Sequence, residues 1–270
     1  GANNTAVGYR AAYSNTTGDR IVAVGEGSLY SNTTGNYNVA LGSKSLRSNT
    51  TGNSNISIGH EALYSNTTSS NNTAVGFEAG YANTTGTSNS ALGYQALRYT
   101  TASNNNAFGF QALYSNTTGA VQTAMGHAAL NANTTGTENT AFGGAALLDN
   151  TTGNYNVAVG RNALANNTTA SNNTAVGVAA GSSITTSDLG VYVGAYAGLA
   201  VTTGARNTMV GVNAGASTTT GTGNTFIGGA STGQGNGAGK AVTTGSKNTI
   251  LGTYDGNQGG LDIRTSSNNI

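Results

Sequence analysis

The side chains that could do chemistry in this chain are few and widely separated. His60 and His127 are the only histidines, and the 270 residues include no cysteine. Imidazole and thiolate groups are the usual ligands of transition metals, so the chain offers few side chains that could bind one. Glu61 and Glu78 could place two carboxylates side by side, as glycoside hydrolases do. No nucleophile lies near a histidine base in the sequence pattern. We therefore predict no catalytic residue, no metal site and no cofactor, and we expect that the protein is not an enzyme.

Rings recur at regular intervals in the first half of the chain. One series consists of His60, Phe77, Tyr94, Phe110 and His127. A second series contains Tyr13, Tyr30, Tyr64, Tyr81 and Tyr114. Exposed rings could stack on the sugars of a host glycan, which makes the first series a candidate ligand-contact stripe. The alternative is a structural ladder at a corner of the fold or at a seam between chains.

A third recurring pattern is Asn-Thr-Thr. Its asparagines are Asn15, Asn32, Asn49, Asn66, Asn83, Asn116, Asn133, Asn150 and Asn167. The pattern matches the acceptor sequence for N-glycosylation, and regular threonines also suggest an ice-binding face. Adjacent threonines point in opposite directions, so only one per repeat can join a flat face. Asparagines stacked at the roughly 4.8 Å spacing of strands can bond one another, so we interpret the series as a structural Asn ladder.

All of these patterns share one period. It is marked most clearly by a glycine that follows a short apolar segment such as Thr-Ala-Val at 5–7. These closing glycines recur every 17 residues from Gly8 onward, except for one interval of 16 (Gly93 to Gly109) and one of 24 (Gly228 to Gly252). The segments carry β-formers, and Gly, Asn and Ser lie between them. We predict an all-β parallel β-solenoid of 17-residue coils, each with two short strands and two corners.

Side-chain alternation separates the two faces of the first strand. The position of Val7 is apolar in every repeat, whereas the position of Ala6 points the other way and is small through Ala175. We expect the Ala6 and Leu29 positions to fill the coil and the Val7 position to face other chains, as in a homotrimer. The opposite assignment, with Val inside and Ala at the seam, is equally consistent with the alternation. In the last repeats the Leu29 position becomes glycine while the Ala6 position becomes large, which constant packed volume would require. The glycine after Thr-Thr is expected to have positive φ.

Three regions follow from the period. Residues 1–228 form the β-solenoid repeat array, 229–246 a Gly-rich insertion loop, and 247–270 the last coil and a transition segment containing one more strand at 261–264.

The composition limits the partners. Charged residues make up only 7% of the chain and the formal net charge is +1, so there is no basic stripe for nucleic acid. No apolar run approaches the roughly 20 residues that cross a membrane, so we expect no membrane insertion.

The repeat resembles those of known fibrous proteins. Asn-Ile-Ser-Ile-Gly at 55–59 and Asn-Val-Ala-Val-Gly at 156–160 are similar to the Asn-Ser-Val-Ala-Ile-Gly repeats in YadA-type heads of trimeric autotransporter adhesins. This resemblance implies a left-handed β-roll packed as a homotrimer, although repeats of that family are usually shorter than 17 residues. Repeats still closer to these occur in phage tail-fibre proteins. There, segments similar to 247–252 and 261–264 often lead into an endosialidase-type intramolecular chaperone, which this chain lacks.

The resulting expectation is a structural fibre segment, either shaft or head, of a phage tail fibre or similar extracellular adhesin. It would be extracellular or on a virion surface, would associate with itself as a homotrimer, and would support attachment to a host surface, with host surface glycans as further partners. The alternative is a monomeric solenoid that binds ice or carbohydrate on a flat face. A tailspike-like glycosidase is disfavoured because the nine acidic residues are scattered.

Overall fold

The computed structural model describes residues 1–230, 236–258 and 261–269, and within these ranges all regular elements are short strands. A first compact unit spans Gly1–Thr135 and a second spans Gly136–Ile270. The first unit contains β1 (Thr5–Val7), β2 (Val22–Val24), β3 (Val39–Leu41), β4 (Ile56–Ile58), β5 (Thr73–Val75), β6 (Ser90–Leu92), β7 (Asn106–Phe108) and β8 (Thr123–Met125). The second contains β9 (Thr140–Phe142), β10 (Val157–Val159), β11 (Thr174–Val176), β12 (Val191–Val193), β13 (Thr208–Val210), β14 (Thr225–Ile227), β15 (Thr249–Leu251), β16 (Asn257–Gln258) and β17 (Leu261–Asp262).

Within each unit the strands follow one another in a parallel sheet. β1 to β8 pair in sequence order, with Ala6 opposite Ala23 and so on in the same register. β9 to β15 pair in the same way. β16 and β17 form a separate antiparallel pair. One strand per repeat, always next to the strand of the following repeat, confirms the all-β parallel β-solenoid of 17-residue coils.

Where the structure describes the coils, the second strand predicted for each of them is absent. Leu29, Leu46 and Leu63 have φ values of 49°, 50° and 45°, so the backbone turns there instead of extending. The turns still bond to the next coil, since Leu29 N donates to Ser45 O at 3.0 Å. Each coil therefore consists of one three-residue strand and a series of turns.

The interior lies on the expected face of the strand. Ala23, Ala40 and Leu29 are fully buried, together with their equivalents in most coils. The outer position of the strand remains partly exposed, at 41% for Leu92 and 52% for Phe142. The Ala6 and Leu29 positions thus face inward and the Val7 position faces outward.

Two inward positions, those of Leu29 and Ala6, share one space. A Cβ on Gly198, in the Leu29 position, would lie 2.3 Å from Cδ1 of Tyr192, which occupies the Ala6 position. A Cβ on Gly215 would lie 2.3 Å from Sδ of Met209. The large side chains of the last coils therefore occupy the volume that leucine fills in the earlier coils, and the expected exchange of volume is confirmed.

The two recurring glycines have different roles. The closing glycine Gly76 has φ of +138°, and a Cβ there would lie 2.3 Å from Gly93 O in the next coil. Gly35, which follows Thr-Thr, was expected to have positive φ, but that expectation was wrong. Its Cβ would lie 2.4 Å from Gly52 O, so close backbone approach favours glycine there. The positive φ falls two residues later, at 58° in Tyr37.

The irregular intervals are absorbed in turns. Across the 16-residue interval Leu92 stays opposite Phe108, and Leu97 stays fully buried. In the 24-residue interval, Gly215 N donates to Ala238 O at 2.9 Å and Thr219 N to Thr243 O at 2.8 Å. Residues from 238 onward thus belong to a regular coil, and the insertion is shorter than the predicted 229–246. Its residues 231–235 lie outside the described part.

The last segment differs from its prediction. The strand expected at 261–264 is limited to Leu261–Asp262. Ile263 is nearly fully buried at 3% exposure, and its N donates to Gly256 O at 3.0 Å. Arg264 O accepts from Thr243 N at 2.8 Å, so this segment covers the end of the last regular coil.

Candidate functional site

The ring series of the first unit forms a continuous stack on its surface. Centroid distances are 5.4 Å for His60–Phe77, 5.2 Å for Phe77–Tyr94 and for Tyr94–Phe110, and 5.1 Å for Phe110–His127. The ring planes deviate by only 6–8°. Interior rings of the stack use both faces on their neighbours and present only their edges to solvent. Sugars stack on ring faces, so the stripe can take them only at its ends.

A column of polar side chains runs beside this stack. Its residues are Lys44, Glu61, Glu78, Gln95 and Gln111, all with left-handed φ near 55°. Lys44 Nζ lies 3.4 Å from Glu61 Oε1, and Gln95 Nε2 donates to Glu78 Oε2 at 2.8 Å. Gln111 Nε2 in turn donates to Gln95 Oε1 at 2.9 Å. The column thus consists of two bonded segments, Lys44 with Glu61 and Glu78 with the two glutamines.

Glu78 is a fixed ion-pair partner. Its carboxylate accepts a charge-assisted hydrogen bond from Arg98 Nε at 2.6 Å. Burial raises the pKa of Glu78, but the hydrogen bonds from Arg98 and Gln95 outweigh it, so the pKa lies below its ordinary value. A glycosidase acid needs a raised pKa instead. The position of Glu78 therefore favours structural pairing over acid catalysis.

Arginines cover the tyrosine series on the same surface. Arg98 lies 5.3 Å from the ring centroid of Tyr81 and 4.7 Å from that of Tyr99. Arg47 lies 4.9 Å from the ring of Tyr30, and Arg10 lies 5.1 Å from that of Tyr9. These are cation–π distances. The first unit thus combines rings, guanidinium groups and carboxylates on one surface.

The Asn ladder is a buried structural feature. Asn32 Nδ2 donates to Asn15 Oδ1 at 2.9 Å and to Gly35 O at 3.0 Å. The same side-chain link joins Asn49 to Asn32 and Asn66 to Asn49, and in the second unit Asn167 to Asn150. Both amide hydrogens of Asn32 are engaged and its side chain is fully buried. N-glycosylation of the folded chain at such a residue is therefore sterically blocked.

A second ladder was missed at the sequence level. It consists of the asparagine that precedes each strand, as in Asn38, Asn55 and Asn72. Asn38 Oδ1 accepts from Asn55 N at 2.9 Å, and Asn55 Oδ1 accepts from Asn72 N at 3.0 Å. The signal was present, since Asn recurs before the strand in most repeats. Coils that carry both asparagines thus have two buried amides that hydrogen-bond to neighbouring coils.

The two threonines of each Asn-Thr-Thr differ in exposure. Thr33 Oγ1 donates to Thr50 O at 3.0 Å, and Thr50 Oγ1 donates to Thr67 O at 3.1 Å. Thr34 and Thr51 are exposed. One threonine column per unit is therefore available to solvent, and the other strengthens contacts between coils.

The outer face of the strands is free of charged residues. Its central column, the Val7 column, is Val7, Val24, Leu41, Ile58, Val75, Leu92, Phe108 and Met125 in the first unit, and Phe142, Val159, Val176, Val193, Val210, Ile227 and Leu251 in the second. The other outward position, at the first residue of each strand, is mostly Thr, Val or Ile. Each unit thus exposes an uncharged, largely apolar strip, which monomeric proteins seldom do.

Two searches of the described ranges were negative. No group of three or more histidine, cysteine, aspartate or glutamate side chains is arranged to hold a metal ion. These ranges also contain no helix that could cross a membrane. Comparison of the chain with protein-family models, curated proteins and solved structures gave no match.

Proposed function

We propose that the chain is a non-enzymatic structural segment of an extracellular fibre or adhesin, in which three copies associate through the Val7 column. The observation that carries this proposal is the uncharged outer strand face of both units. A fibre of this kind would hold an attachment site away from the surface that bears it. The resemblance to adhesin heads and phage tail fibres favours the same role.

A second copy of the chain is the partner that suits this face. The column repeats once per coil at the roughly 4.8 Å spacing of strands. An identical chain carries the same spacing, so its side chains can interdigitate coil by coil without loss of register. Absence of charge in both outward positions means that no unpaired ion would be buried.

The area available is close to that of a specific interface. A strip about 10 Å wide gives roughly 50 Å² per strand, and hence roughly 400 Å² for the eight strands of the first unit and roughly 350 Å² for the seven of the second. Stable interfaces bury about 800 Å² per partner. Burial of that much apolar surface would add stability to coils that have only a small alanine side chain at the inward strand position.

Aspartate substitutions test the interface. Replacing Val75, Leu92 and Phe108 by Asp would bury three charges at successive coils, at several kcal/mol each. We expect this variant to lose the trimer in sedimentation velocity. The matched control replaces Glu26, Glu61 and Glu78 by Gln, and it should stay trimeric, because these carboxylates lie in the turns and not on the outer strand face. An aspartate variant that remains a trimer of unchanged thermal stability would refute the interface.

A second candidate function is a monomeric solenoid that binds ice or carbohydrate on this flat face. The observation that favours it is the regular Thr-x-Val spacing, as in Thr73 and Val75, with both side chains outward on one strand. A chain that is monomeric at high concentration and inhibits ice growth, or binds a neutral glycan, would support this candidate.

A further inference from the structure

A surface pocket interrupts the polar column near the start of the first unit. It has a volume of about 100 Å³ and is lined by Tyr9, Arg10, Glu26, Gly27, Tyr30 and Arg47. The pocket exists because Gly27 occupies a position where the neighbouring coils carry the long side chains of Arg10 and Lys44. Two guanidinium groups therefore border a space that has no side chain of its own.

The repeat supplies an internal comparison for this pocket. Arg47 and Arg98 occupy the same position three coils apart, and each lies over a tyrosine, Tyr30 and Tyr81. The residue 20 positions before Arg98 is Glu78, whose carboxylate pairs with it at 2.6 Å. The residue 20 positions before Arg47 is Gly27. The Arg47 guanidinium thus lacks the carboxylate that its equivalent has.

The two arginines at the pocket are unpaired. Among the described residues, neither Arg10 nor Arg47 forms an ion pair, and their contacts are with rings. A Cβ on Gly27 would lie 3.1 Å from Arg47 Nη1, so the guanidinium borders the empty place directly. Arginine binds carboxylates through two parallel hydrogen bonds, which a flexible ligand can satisfy here.

We propose that this pocket binds the carboxylate of an acidic sugar, which takes the place that the Glu78 carboxylate holds beside Arg98. Arg10 and Arg47 contact the carboxylate, and Glu26 accepts hydrogen bonds from the sugar hydroxyls. Glu26 is exposed, and Ser43 Oγ donates a long hydrogen bond of 3.5 Å to its Oε2. Tyr9, 67% exposed, provides an apolar surface for the sugar ring.

The presence of Glu26 favours a sugar acid over a simple anion. A bare carboxylate or phosphate would be repelled by Glu26 and would gain nothing from the rings. A uronic acid carries both the carboxylate for the arginines and the hydroxyls for Glu26. This site deepens the attachment role proposed above, but it lies within one chain and does not require a trimer.

Titration of the full chain with D-glucuronate, glucose and acetate, followed by NMR at low salt, tests the site. We expect saturable binding of glucuronate with Kd on the order of 1 mM, as for a ligand of its size, and no saturation with glucose. Arg47→Gln and Gly27→Glu should each weaken glucuronate binding at least tenfold. In Gly27→Glu the new carboxylate occupies the site, and it should fold because Glu61 and Glu78 adopt the same left-handed φ, 54° and 52°.

Glu138→Gln is the control, since it removes an exposed carboxylate that does not line the pocket, and it should bind as the unmodified chain does. Unchanged binding by Arg47→Gln would overturn the proposal even if Gly27→Glu failed to fold. Acetate that binds as tightly as glucuronate would overturn the assignment to a sugar. Oligomeric state is measured separately, so failure of this site and failure of the fibre are distinguishable.

Discussion

Tyr192 is a single residue whose environment departs from the rest of the interior. Its hydroxyl is buried and forms no hydrogen bond. Ser187 Oγ and Asn207 Nδ2 are nearby and lower its pKa, but both already donate to Gly204 O, at 2.6 Å and 2.8 Å. Burial is the larger influence and raises the pKa of Tyr192 to about 12. The hydroxyl is therefore a cost to the folded state.

Replacing Tyr192 by Phe should increase the free energy of unfolding by about 1 kcal/mol, because an unsatisfied polar group is removed. The pKa of Tyr192 in the folded state lies above the ordinary value of 10.0, so the folded state favours the protonated phenol. The stability that depends on this protonation is complete below pH 10 and is lost as the pH rises towards 12. The Tyr192→Phe variant should not show this loss of stability at alkaline pH. Urea unfolding at pH 8 and pH 11 measures both effects.

Tyr155→Phe is the control, because Tyr155 is 53% exposed. It should change neither the stability at pH 8 nor its decline at high pH. If Tyr192→Phe instead destabilises the protein by more than about 1 kcal/mol, the hydroxyl has a partner and the account of this residue is wrong.

The closing glycines make a second prediction at the residue scale. Gly76→Ala should destabilise the protein by about 3 kcal/mol or more, since φ is +138° and the Cβ would lie 2.3 Å from Gly93 O. Gly144→Ala should be nearly neutral, because a Cβ there meets nothing within 4 Å. Chemical denaturation of the two variants gives the comparison, and similar losses would contradict the assigned role.

At the scale of the coil, the exchange of volume between positions can be measured directly. Tyr192→Ala alone leaves a cavity, and Gly198→Leu alone forces a leucine into the Tyr192 ring. The double variant restores the pattern of the earlier coils, in which alanine and leucine occupy these positions. We expect it to be more stable than the sum of the single effects predicts, by about 1–3 kcal/mol. Additive effects would show that the two positions do not share space.

The coil also shows what sequence reasoning could and could not reach. The 17-residue period predicted the fold class correctly. Alternation allowed either face of the strand to be inward, and burial in the structure selects the expected one, with Ala inside. The second strand was wrong because leucine is rarely found at positive φ, so its pattern indicated an extended segment. The corrective signal was Gly80, which replaces leucine in that position and has φ of 62°. Likewise, Ala102 and Ala170 replace the glycine after Thr-Thr, which indicates an ordinary φ there.

The candidate site was predicted in part. Spacing placed His60, Phe77 and their equivalents next to one another, and the structure stacks them. The spacing could not show that these rings stack face to face, because stacking depends on side-chain orientation. The pocket at Gly27 requires both the missing side chain and the position of Arg47, which only the three-dimensional arrangement brings together.

At the scale of the whole molecule, the central claim is that the uncharged outer face is an interface between copies. The Val7 column is apolar in all fifteen strands, whereas the inward strand position is small until Tyr192. A lone chain would leave this apolar column in water in every coil. The proposed self-association would remove it from water and would explain why no charged residue interrupts it.

The mass of the unmodified chain in solution is the measurement that tests this claim most directly. The chain mass is 26.6 kDa. Sedimentation equilibrium at micromolar concentration should give three times that value, with no dependence on salt, because the proposed interface contains no ion pairs. A single species at the mass of one chain, unchanged as the concentration is raised, would contradict the interface and the proposed fibre together.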